Sequence, residues 1–222
     1  VDDGLLKADP TRRAIIKGCS SGKKKTKFLN LFALQTLLRS LDLKEGLNWD
    51  WFFYLIAKTG LRFAEALALT PEDFDFEKQS IKINKSWNYK EKKGHFQPTK
   101  NKSSNRTVMV DWQLMQQFQV MINNKKAGEP IFFDKEQRIY NSTLNQRLAS
   151  YCKKVDIPVI SIHGLRHTHA SLLLYEGVSI ASVAKRLGHN NTTTTQETYI
   201  HIIRELENKD NDKILHHLSQ LT

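Results

Sequence analysis

The stretch from Ser161 to His201 limits what this chain can fold into and do more than any other. Within it, His163 and Arg166 are three residues apart, and residues at that spacing share one face of a helix. An imidazole, which transfers protons near neutral pH, and a guanidinium, which binds anions as a rigid fork, can therefore point at one small anion. This pairing favours a site that handles phosphate.

Turn signals divide the same stretch into three helical segments. Gly177 predicts the end of the first helix, and Ser179 is typical of the N-cap of a second. Gly188 fits the end of that second helix, because glycine takes the left-handed conformation that closes many helices. His189 is then predicted to lie in a turn and Tyr199 on the next helix. Two imidazoles, an arginine and a phenol that converge through short turns indicate phosphate chemistry rather than a plain helical core.

The rest of the chain predicts a mainly α fold with a small antiparallel β-sheet, an α+β architecture. Apolar residues recur at helical spacing in several segments, and apolar and polar residues alternate after Ser80, as in a half-buried strand. We predict a lysine-rich hairpin whose tip spans roughly Pro98 to Arg106. The predicted helices include residues 28–40, 49–58, 61–69, 115–122 and 143–154.

The chain carries a large positive charge. Its 222 residues include 34 lysines and arginines against 23 aspartates and glutamates, a formal net charge of +11. Such an excess favours polyanionic partners, of which nucleic acid is the commonest, and the alternative is a basic protein that is merely soluble. With 40% hydrophobic residues, the chain has enough apolar material for a core. It shows no long apolar run or signal-like N-terminus, which disfavours a membrane partner.

The cysteine usage indicates a reducing compartment. Cys19 and Cys152 are the only two cysteines, and their separation fits neither a disulfide framework nor a zinc module. We therefore expect a cytoplasmic protein. The chain begins at Val1 rather than at a methionine, and we expect it to be an excised fragment.

Arg62 is a second candidate for anion binding. It follows a Thr-Gly turn at the start of a helix rich in alanine and leucine. Such an arginine either extends to the surface or is kept for an anion. Together with Arg166, it could hold both non-bridging oxygens of a phosphodiester and stabilise a pentacovalent transition state. Glu65, one turn later, either orients Arg62 or is solvated.

Two groups of lysines are candidates for contact with DNA. Lys100 and Lys102 lie in the predicted hairpin tip, where they are either solvated or placed to protonate a leaving alkoxide. Residues 1–27 form a basic segment that is either a solvated lead-in or an arm lying on phosphates. The candidates for backbone contact are Lys23, Lys24, Lys25, Lys27 and Lys102.

The histidine spacing does not favour a metal site. His163 and His167 are four residues apart on the predicted helix, as two zinc ligands can be. The intervening residues include no glutamate, however, and Arg166 would place a cation beside the ion. We therefore expect no metal, and we expect His167 and His169 to pack or to form hydrogen bonds.

These elements together resemble the tyrosine recombinases, the phage and transposon integrases, from about Phe28 to His201. The resemblance implies the tyrosine recombinase catalytic-domain fold and a site-specific DNA recombinase, similar to integrases of Gram-positive phages and conjugative elements. The motifs that carry it, in the family's order and spacing, are Thr59-Gly60-Leu61-Arg62 with Glu65-Ala66-Leu67, the hairpin lysine, His163-x-x-Arg166, Leu187-Gly188-His189, and Tyr199 in TTTTQETYIH.

The resemblance also implies roles for individual residues. Tyr199 is the nucleophile, which attacks a DNA phosphodiester, forms a 3′-phosphotyrosyl link and releases a 5′-hydroxyl. Arg62 and Arg166 clamp the phosphate, and His189 adds a hydrogen bond to it. His163 accepts the proton of Tyr199.

The remaining implications concern the leaving group, cofactors and partners. A hairpin lysine protonates the leaving 5′-oxygen, and we assign this role to Lys100 over Lys102. The covalent link conserves the bond energy, so the reaction requires neither a metal nor any other cofactor. The implied partner is double-stranded DNA with a specific recombination site, bound by a homotetramer. We expect a bacterial or phage-encoded protein that acts on the nucleoid.

The resemblance divides the chain into a basic interdomain arm (1–27), a catalytic domain (28–203) and a tail helix (204–222) that docks on a neighbouring protomer or on its own domain. The family often has proline where this chain has Met109, so the register of the lysine hairpin is open by a residue or two. Its integrases usually carry DNA-binding domains, which would precede Val1. Two alternatives remain, a type IB topoisomerase-like enzyme that relaxes DNA and a DNA-binding module without catalytic activity.

Overall fold

The computed structural model of the chain describes residues 28–43, 46–91, 93–200 and 219. Within this part the fold is mainly helical with small antiparallel sheets, which confirms the predicted fold class. None of the described helices is long and apolar enough to cross a bilayer. The helices are α1 (Leu31–Ser40), α2 (Trp49–Thr59), α3 (Phe63–Leu67), α4 (Trp112–Ile122), α5 (Asn141–Lys154), α6 (Ile162–Tyr175), α7 (Ile180–Leu187) and α8, described over 192–200.

Two antiparallel sheets contain the strands β1 (Phe74–Asp75), β2 (Ser80–Ile83), β3 (Lys85–Asn88), β4 (His95–Pro98) and β5 (Arg106–Met109). In the larger sheet the order is β1-β2-β5, and Ile81 of β2 pairs with Val108 of β5. In the smaller sheet β3 pairs with β4, and Trp87 lies opposite Phe96 with the two rings edge to face.

The predicted position of the hairpin tip is wrong. The turn of the β3–β4 hairpin lies between Asn88 and His95, whereas residues 99–105 connect the two sheets through a short 3₁₀ turn. Asn101 caps this turn by accepting a hydrogen bond from the Ser104 backbone N–H, and Ser104 is buried. The many charged residues between the strands hid the Trp87–Phe96 pairing, which sets the true register.

Helix α2 lies at the centre of the main core. Its apolar residues are buried on nearly all sides, as expected of a helix without a solvent face. It contacts α6 over much of its length, and it ends at Gly60, which has the left-handed conformation. The core therefore fixes the end of α2, from which Arg62 extends.

A second, smaller core holds the last described helix. Tyr199 of α8 packs with Leu174 of α6 and with Val183 and Leu187 of α7. Ser179 caps α7 and Gly188 ends it in the left-handed conformation, as predicted. The small core thus brings Tyr199 beside the helix that carries His163 and Arg166.

Asp50 is a buried carboxylate that joins three segments of the fold. Its oxygens accept hydrogen bonds from Arg147 at 2.8 Å, from the Tyr151 hydroxyl and from the Asp42 backbone N–H at 2.8 Å. The side chain has no exposed area, so these bonds replace its hydration shell. Asp50 therefore links the start of α2 to α5 and to the loop after α1.

We predict that Asp50→Ala lowers the free energy of unfolding by about 2–3 kcal/mol, because it removes several hydrogen bonds to a buried charge. Urea unfolding at neutral pH measures the change. Asp134→Ala, which removes an exposed aspartate, is the matched control and should change stability by less than about 0.5 kcal/mol. Equal stabilities of the two variants would contradict this account of Asp50.

Candidate active site

Two helix ends and two arginines form the framework of the site. The left-handed glycines Gly60 and Gly188 end α2 and α7, with φ of 70° and 69°. Arg166 of α6 donates hydrogen bonds to the Gly60 carbonyl at 2.7 Å and to the Leu187 carbonyl at 2.8 Å. Arg62, which follows α2, donates to the Gly188 carbonyl at 3.0 Å. Each arginine thus binds the last carbonyls of a helix, where the negative end of the helix dipole favours a cation.

Both glycines are required by close contacts as well as by backbone conformation. A Cβ atom on Gly60 would lie 2.7 Å from His169 Cδ2, and one on Gly188 would lie 2.9 Å from Arg106 Nη1. A side chain at either position would also be strained, because φ is positive. The Thr-Gly and Leu-Gly-His motifs therefore have a physical basis in this packing.

Arg166 is a buried cation that forms no ion pair with a carboxylate within the described part of the chain. The side chain is 3% exposed, and its described contacts are two carbonyls and His189 Nε2 at 3.1 Å. Burial and the charge of Arg62 lower the pKa of Arg166 to about 9, which still leaves the guanidinium protonated at neutral pH. A buried charge of this kind favours an incoming anion.

Glu65 orients Arg62, which decides between the two alternatives that the sequence left open. Its carboxylate accepts hydrogen bonds from the backbone N–H of Arg62 at 3.0 Å and from Arg62 Nη1 at 2.7 Å. Arg106 binds the same carboxylate in bidentate fashion, at 2.9 and 3.2 Å. Sequence reasoning missed Arg106, because it follows a lysine-rich run in which it looked like one more solvated charge.

His189 is neutral and its tautomer follows from its neighbours. A guanidinium can only donate, so Nε2 of His189 accepts the hydrogen bond from Arg166, and Nδ1 carries the proton. Nδ1 then donates to the hydroxyl of Thr195, at 2.8 Å. Burial and the charges of Arg166, Arg62 and Arg106 lower the pKa of His189 to about 4.

The ring of Tyr199 packs in the small core, and its hydroxyl lies beside His167. The residue is 2% exposed, and its hydroxyl lies 2.9 Å from His167 Nδ1. Burial raises the pKa of the phenol to about 12, although the charge of Arg166 acts in the opposite direction. The hydrogen bond expected for His167 is confirmed, but sequence reasoning did not predict Tyr199 as its partner.

His163 packs against His167, which in turn contacts Tyr199. Its ring meets that of His167 edge to face, with centroids 4.5 Å apart, and the side chain remains exposed. Partial loss of hydration and the charges of Arg166 and Arg62 lower the pKa of His163. The described contacts of Tyr199 place His167, rather than His163, at its hydroxyl, so the proton-accepting role of His163 stays a prediction.

The structure does not bring the predicted lysines into contact with the arginines. Lys100 and Lys102 are both exposed on the segment between the sheets. Ser104 of the same segment lies 3.3 Å from Arg62 Nη1, so this segment reaches the site at Ser104, and the catalytic role of a lysine stays a prediction. The other predicted backbone contacts, namely Lys23, Lys24, Lys25 and Lys27, lie outside the described residues.

No metal-binding group is evident in this part of the chain. Over the described residues, no three histidine, cysteine, aspartate or glutamate side chains gather as ligands for an ion. His169 is instead a hydrogen-bonding residue, as expected, and lies 3.0 Å from the Ala57 carbonyl through Nδ1. The candidate site groups Arg166 with His189, which it contacts, and with Arg62 and Tyr199, whose charges affect its pKa. His167 lies next to Tyr199, and His163 lies next to His167.

We predict that Glu65→Gln lowers the free energy of unfolding by about 3 kcal/mol at pH 7, because a pKa lowered from 4.5 to about 2 corresponds to that energy. Burial would raise the pKa of Glu65, but the hydrogen bonds and charge of Arg106 and the charge of Arg62 lower it. A carboxyl with a lower pKa in the folded chain stabilises the fold above about pH 4.5 and loses this contribution as the pH falls toward about 2.

Urea unfolding of both proteins between pH 7 and pH 2 measures this difference, which should shrink as the pH falls. Glu129→Gln, at an exposed position, is the control and should leave stability within about 0.5 kcal/mol of the wild type. A stability difference for Glu65→Gln that stays constant across this pH range would contradict the lowered pKa.

The chain matches known proteins over most of its length. A model of the phage integrase family matches residues 27–205. The integrase of Staphylococcus phage L54a is 32% identical over 172 residues, covering 69% of this chain and 49% of that protein. The ICEBs1 integrase of Bacillus subtilis (strain 168) is 27% identical over 230 residues, covering 96% of this chain and 60% of that protein. The chain thus spans about half to three fifths of these relatives.

Solved structures share the fold. The Tn1549 transposon integrase, solved in complex with transposon right end DNA, superposes with a TM-score of 0.67 at 19% identity, covering 86% of this chain and 68% of that one. The catalytic domain of bacteriophage HP1 integrase gives a TM-score of 0.55 at 22% identity, covering 79% and 87%. These likenesses confirm the predicted fold. The match of the family model over residues 27–205 establishes that the chain belongs to the phage integrase family, the tyrosine recombinases.

Proposed function

We propose that this chain is the catalytic domain of a site-specific DNA recombinase, which cleaves and rejoins DNA strands through Tyr199. The observation that carries the proposal is the buried, charged guanidinium of Arg166, which contacts no carboxylate among the described residues. Arg62, His189 and Tyr199 lie around it. An anionic phosphodiester would supply the charge that this arrangement lacks.

The arginines retain donors for such a phosphate. A guanidinium has five N–H groups. The described hydrogen bonds use three of them on Arg166, to Gly60, Leu187 and His189, so two are left for the oxygens of the phosphate. Arg62 has a matching set of three described bonds, to Glu65, Ser104 and Gly188. Donors fixed in advance by protein contacts stabilise the charge of a transition state without reorganisation.

The reaction proposed is an exchange of phosphoester bonds. The Tyr199 oxygen attacks the phosphorus as its proton leaves to a base, and the bond to the 5′-oxygen breaks. His167 lies on the hydroxyl, and His163 is the base that the family resemblance implies. Lys100, exposed on the segment that also holds Ser104, would then protonate the leaving 5′-oxygen. The 5′-hydroxyl of a second strand reverses these steps and releases Tyr199.

Tyr199 must move before it can react with DNA. The residue is 2% exposed, and burial raises the pKa of its phenol to about 12, so this arrangement does not favour the phenolate. We propose that α8 shifts when DNA binds, and that the phenol is then brought toward the two arginines. Their charges favour the phenolate, as the effect of Arg166 on the Tyr199 pKa already indicates.

Thr195 allows His189 to change its hydrogen bonds during this step. The neutral ring now accepts through Nε2 and donates through Nδ1. A threonine hydroxyl can both donate and accept, so rotation of the buried Thr195 hydroxyl would support the opposite tautomer. His189 could then donate from Nε2 to a phosphate oxygen, which is the role implied by the family resemblance.

The biological setting is part of the proposal. We propose double-stranded DNA with a specific site as the partner and a homotetramer on that DNA as the active assembly, acting on the nucleoid of a bacterium. The net charge of +11 supports a DNA partner. The relatives are named as integrases of a phage and of ICEBs1, and one integrase structure was solved with transposon DNA, which supports a role in mobile-element recombination.

We predict that Tyr199→Phe abolishes covalent attachment to DNA while DNA affinity changes by less than about threefold, because only the hydroxyl is removed and the ring still fills the small core. Selection of duplexes that the protein binds from a random pool identifies the binding site. A duplex that carries this site with a nick beside it then serves as a suicide substrate. Denaturing gels then measure the protein–DNA adduct.

Tyr140→Phe, at an exposed tyrosine, is the matched control and should form the adduct at the wild-type rate. Undiminished adduct with Tyr199→Phe would end the proposal. Wild-type binding without any adduct would instead favour a DNA-binding module, and relaxation of plasmids without the selected site would favour a topoisomerase.

We predict that Arg166→Lys lowers the rate of cleavage by about 10²–10³-fold, because the three N–H groups of an ammonium are too few for the two carbonyls, His189 and both phosphate oxygens that a planar guanidinium can bind at once. Single-turnover cleavage of the suicide duplex measures this rate. The substitution keeps the positive charge, so affinity for DNA should be similar to that of the wild type. Arg138→Lys, at an exposed arginine, serves as the control. A rate near that of the wild type would remove Arg166 from the site.

A further inference from the structure

Arg186, on the last turn of α7, forms side-chain hydrogen bonds to three other segments of the fold, and the proposed reaction gives it no role. Its Nε donates to His169 Nε2 at 2.8 Å, its Nη1 to the Met109 carbonyl at 2.9 Å and its Nη2 to the Lys58 carbonyl at 3.2 Å. Its own carbonyl accepts a hydrogen bond from Arg106 Nε at 2.6 Å. One residue therefore connects α7 to α2, α6 and β5.

Two of these contacts, those to Lys58 and His169, are close in sequence to residues of the candidate site. The Lys58 carbonyl lies near the end of α2, four residues before Arg62, and His169 lies on α6, three residues after Arg166. Arg186 itself precedes His189 by three residues. Arg62 follows α2, Arg166 lies on α6 and His189 follows α7. The Arg186 side chain, on α7, binds both α2 and α6.

We propose that Arg186 is a positioning residue for the strand-transfer reaction, because it fixes the ends of α2 and α7 and the middle of α6 in the relative positions that bring Arg62, Arg166 and His189 together. The inference rests on the proposed function. Arg186 makes none of its described contacts to Arg62, Arg166, His189 or Tyr199, so it acts through the backbone that carries them.

His169 supports this role through its protonation state. Its Nδ1 lies 3.0 Å from the Ala57 carbonyl, so it donates there, and Nε2 is free to accept from Arg186. Burial and the charge of Arg186 lower the pKa of His169 to about 3. The ring is therefore neutral at physiological pH, and it connects Arg186 to a second carbonyl of α2.

The chemistry of the side chain explains why an arginine occupies this position. Its three acceptors are one imidazole and two carbonyls, which belong to three different segments. A planar guanidinium donates in several fixed directions at once, whereas a lysine ammonium is a point charge on a flexible stem. Displacement of a catalytic group by about 1 Å can cost about 10²-fold in rate, so loss of this anchor should appear in the chemical step.

The test separates positioning from simple stabilisation. Cleavage of the nicked suicide duplex, with the duplex in excess over the protein and above its dissociation constant, gives a rate constant for the folded molecules and an adduct amplitude that reports the folded fraction. We expect Arg186→Met to lower the rate constant by about 10–100-fold at an amplitude similar to that of the wild type. Lys185→Met, which removes the neighbouring exposed charge, is the matched control and should retain the wild-type rate constant.

Arg186→Gln, which keeps one donating amide, should lower the rate constant by a smaller factor, and it decides the result if the methionine variant does not fold. Affinity for the duplex should change by the same small factor in Arg186→Met and in Lys185→Met, because both lose one charge. A wild-type rate constant in the folded Arg186 variants, whatever the amplitude, would overturn the inference. A wild-type chain that forms no adduct would overturn the proposed function, and this inference with it.

Discussion

The site depends on hydrogen bonds between arginines and the carbonyl ends of two helices. The last carbonyls of α2 and α7 lack partners within their own helices, and a buried carbonyl without a partner is costly. Arg166 satisfies carbonyls of both helices, and Arg62 satisfies that of Gly188. The same bonds place two guanidinium groups side by side, so backbone satisfaction and the gathering of positive charge have one structural cause.

Such a concentration of cations requires compensation. Glu65, shared between Arg62 and Arg106, neutralises part of the charge, and the negative ends of two helices offset more of it. Among the described residues, Arg166 makes its hydrogen bonds to carbonyls of these two helices and to a neutral histidine, and to no carboxylate. The positive charge of Arg166 therefore favours binding of an anion at this position. The carboxylate of Glu65 keeps Arg62 in one orientation.

The sequence predicted the local features of this arrangement better than the long-range ones. The end of α2 at Gly60, the cap at Ser179 and the end of α7 at Gly188 follow from the conformations that these residue types prefer, and all were found. Arg106 and Arg186 escaped notice because their partners are tens of residues away and their side chains look like ordinary surface charges. The β3–β4 turn was misplaced for a related reason, since the Trp87–Phe96 contact joins residues across a charged loop.

The ring of Tyr199 packs in the small core, whereas the proposed reaction requires it to leave that core. In the small core it covers Leu174, Val183 and Leu187, and burial of such a side chain is worth about 1.5–3 kcal/mol. When the phenol leaves the small core, the apolar side chains that it covered between α6 and α7 become exposed to water. If Tyr199 acts as proposed, the availability of its hydroxyl depends on how weakly the ring is held there. Changes that improve the packing of this small core would then stabilise the domain and slow the proposed reaction.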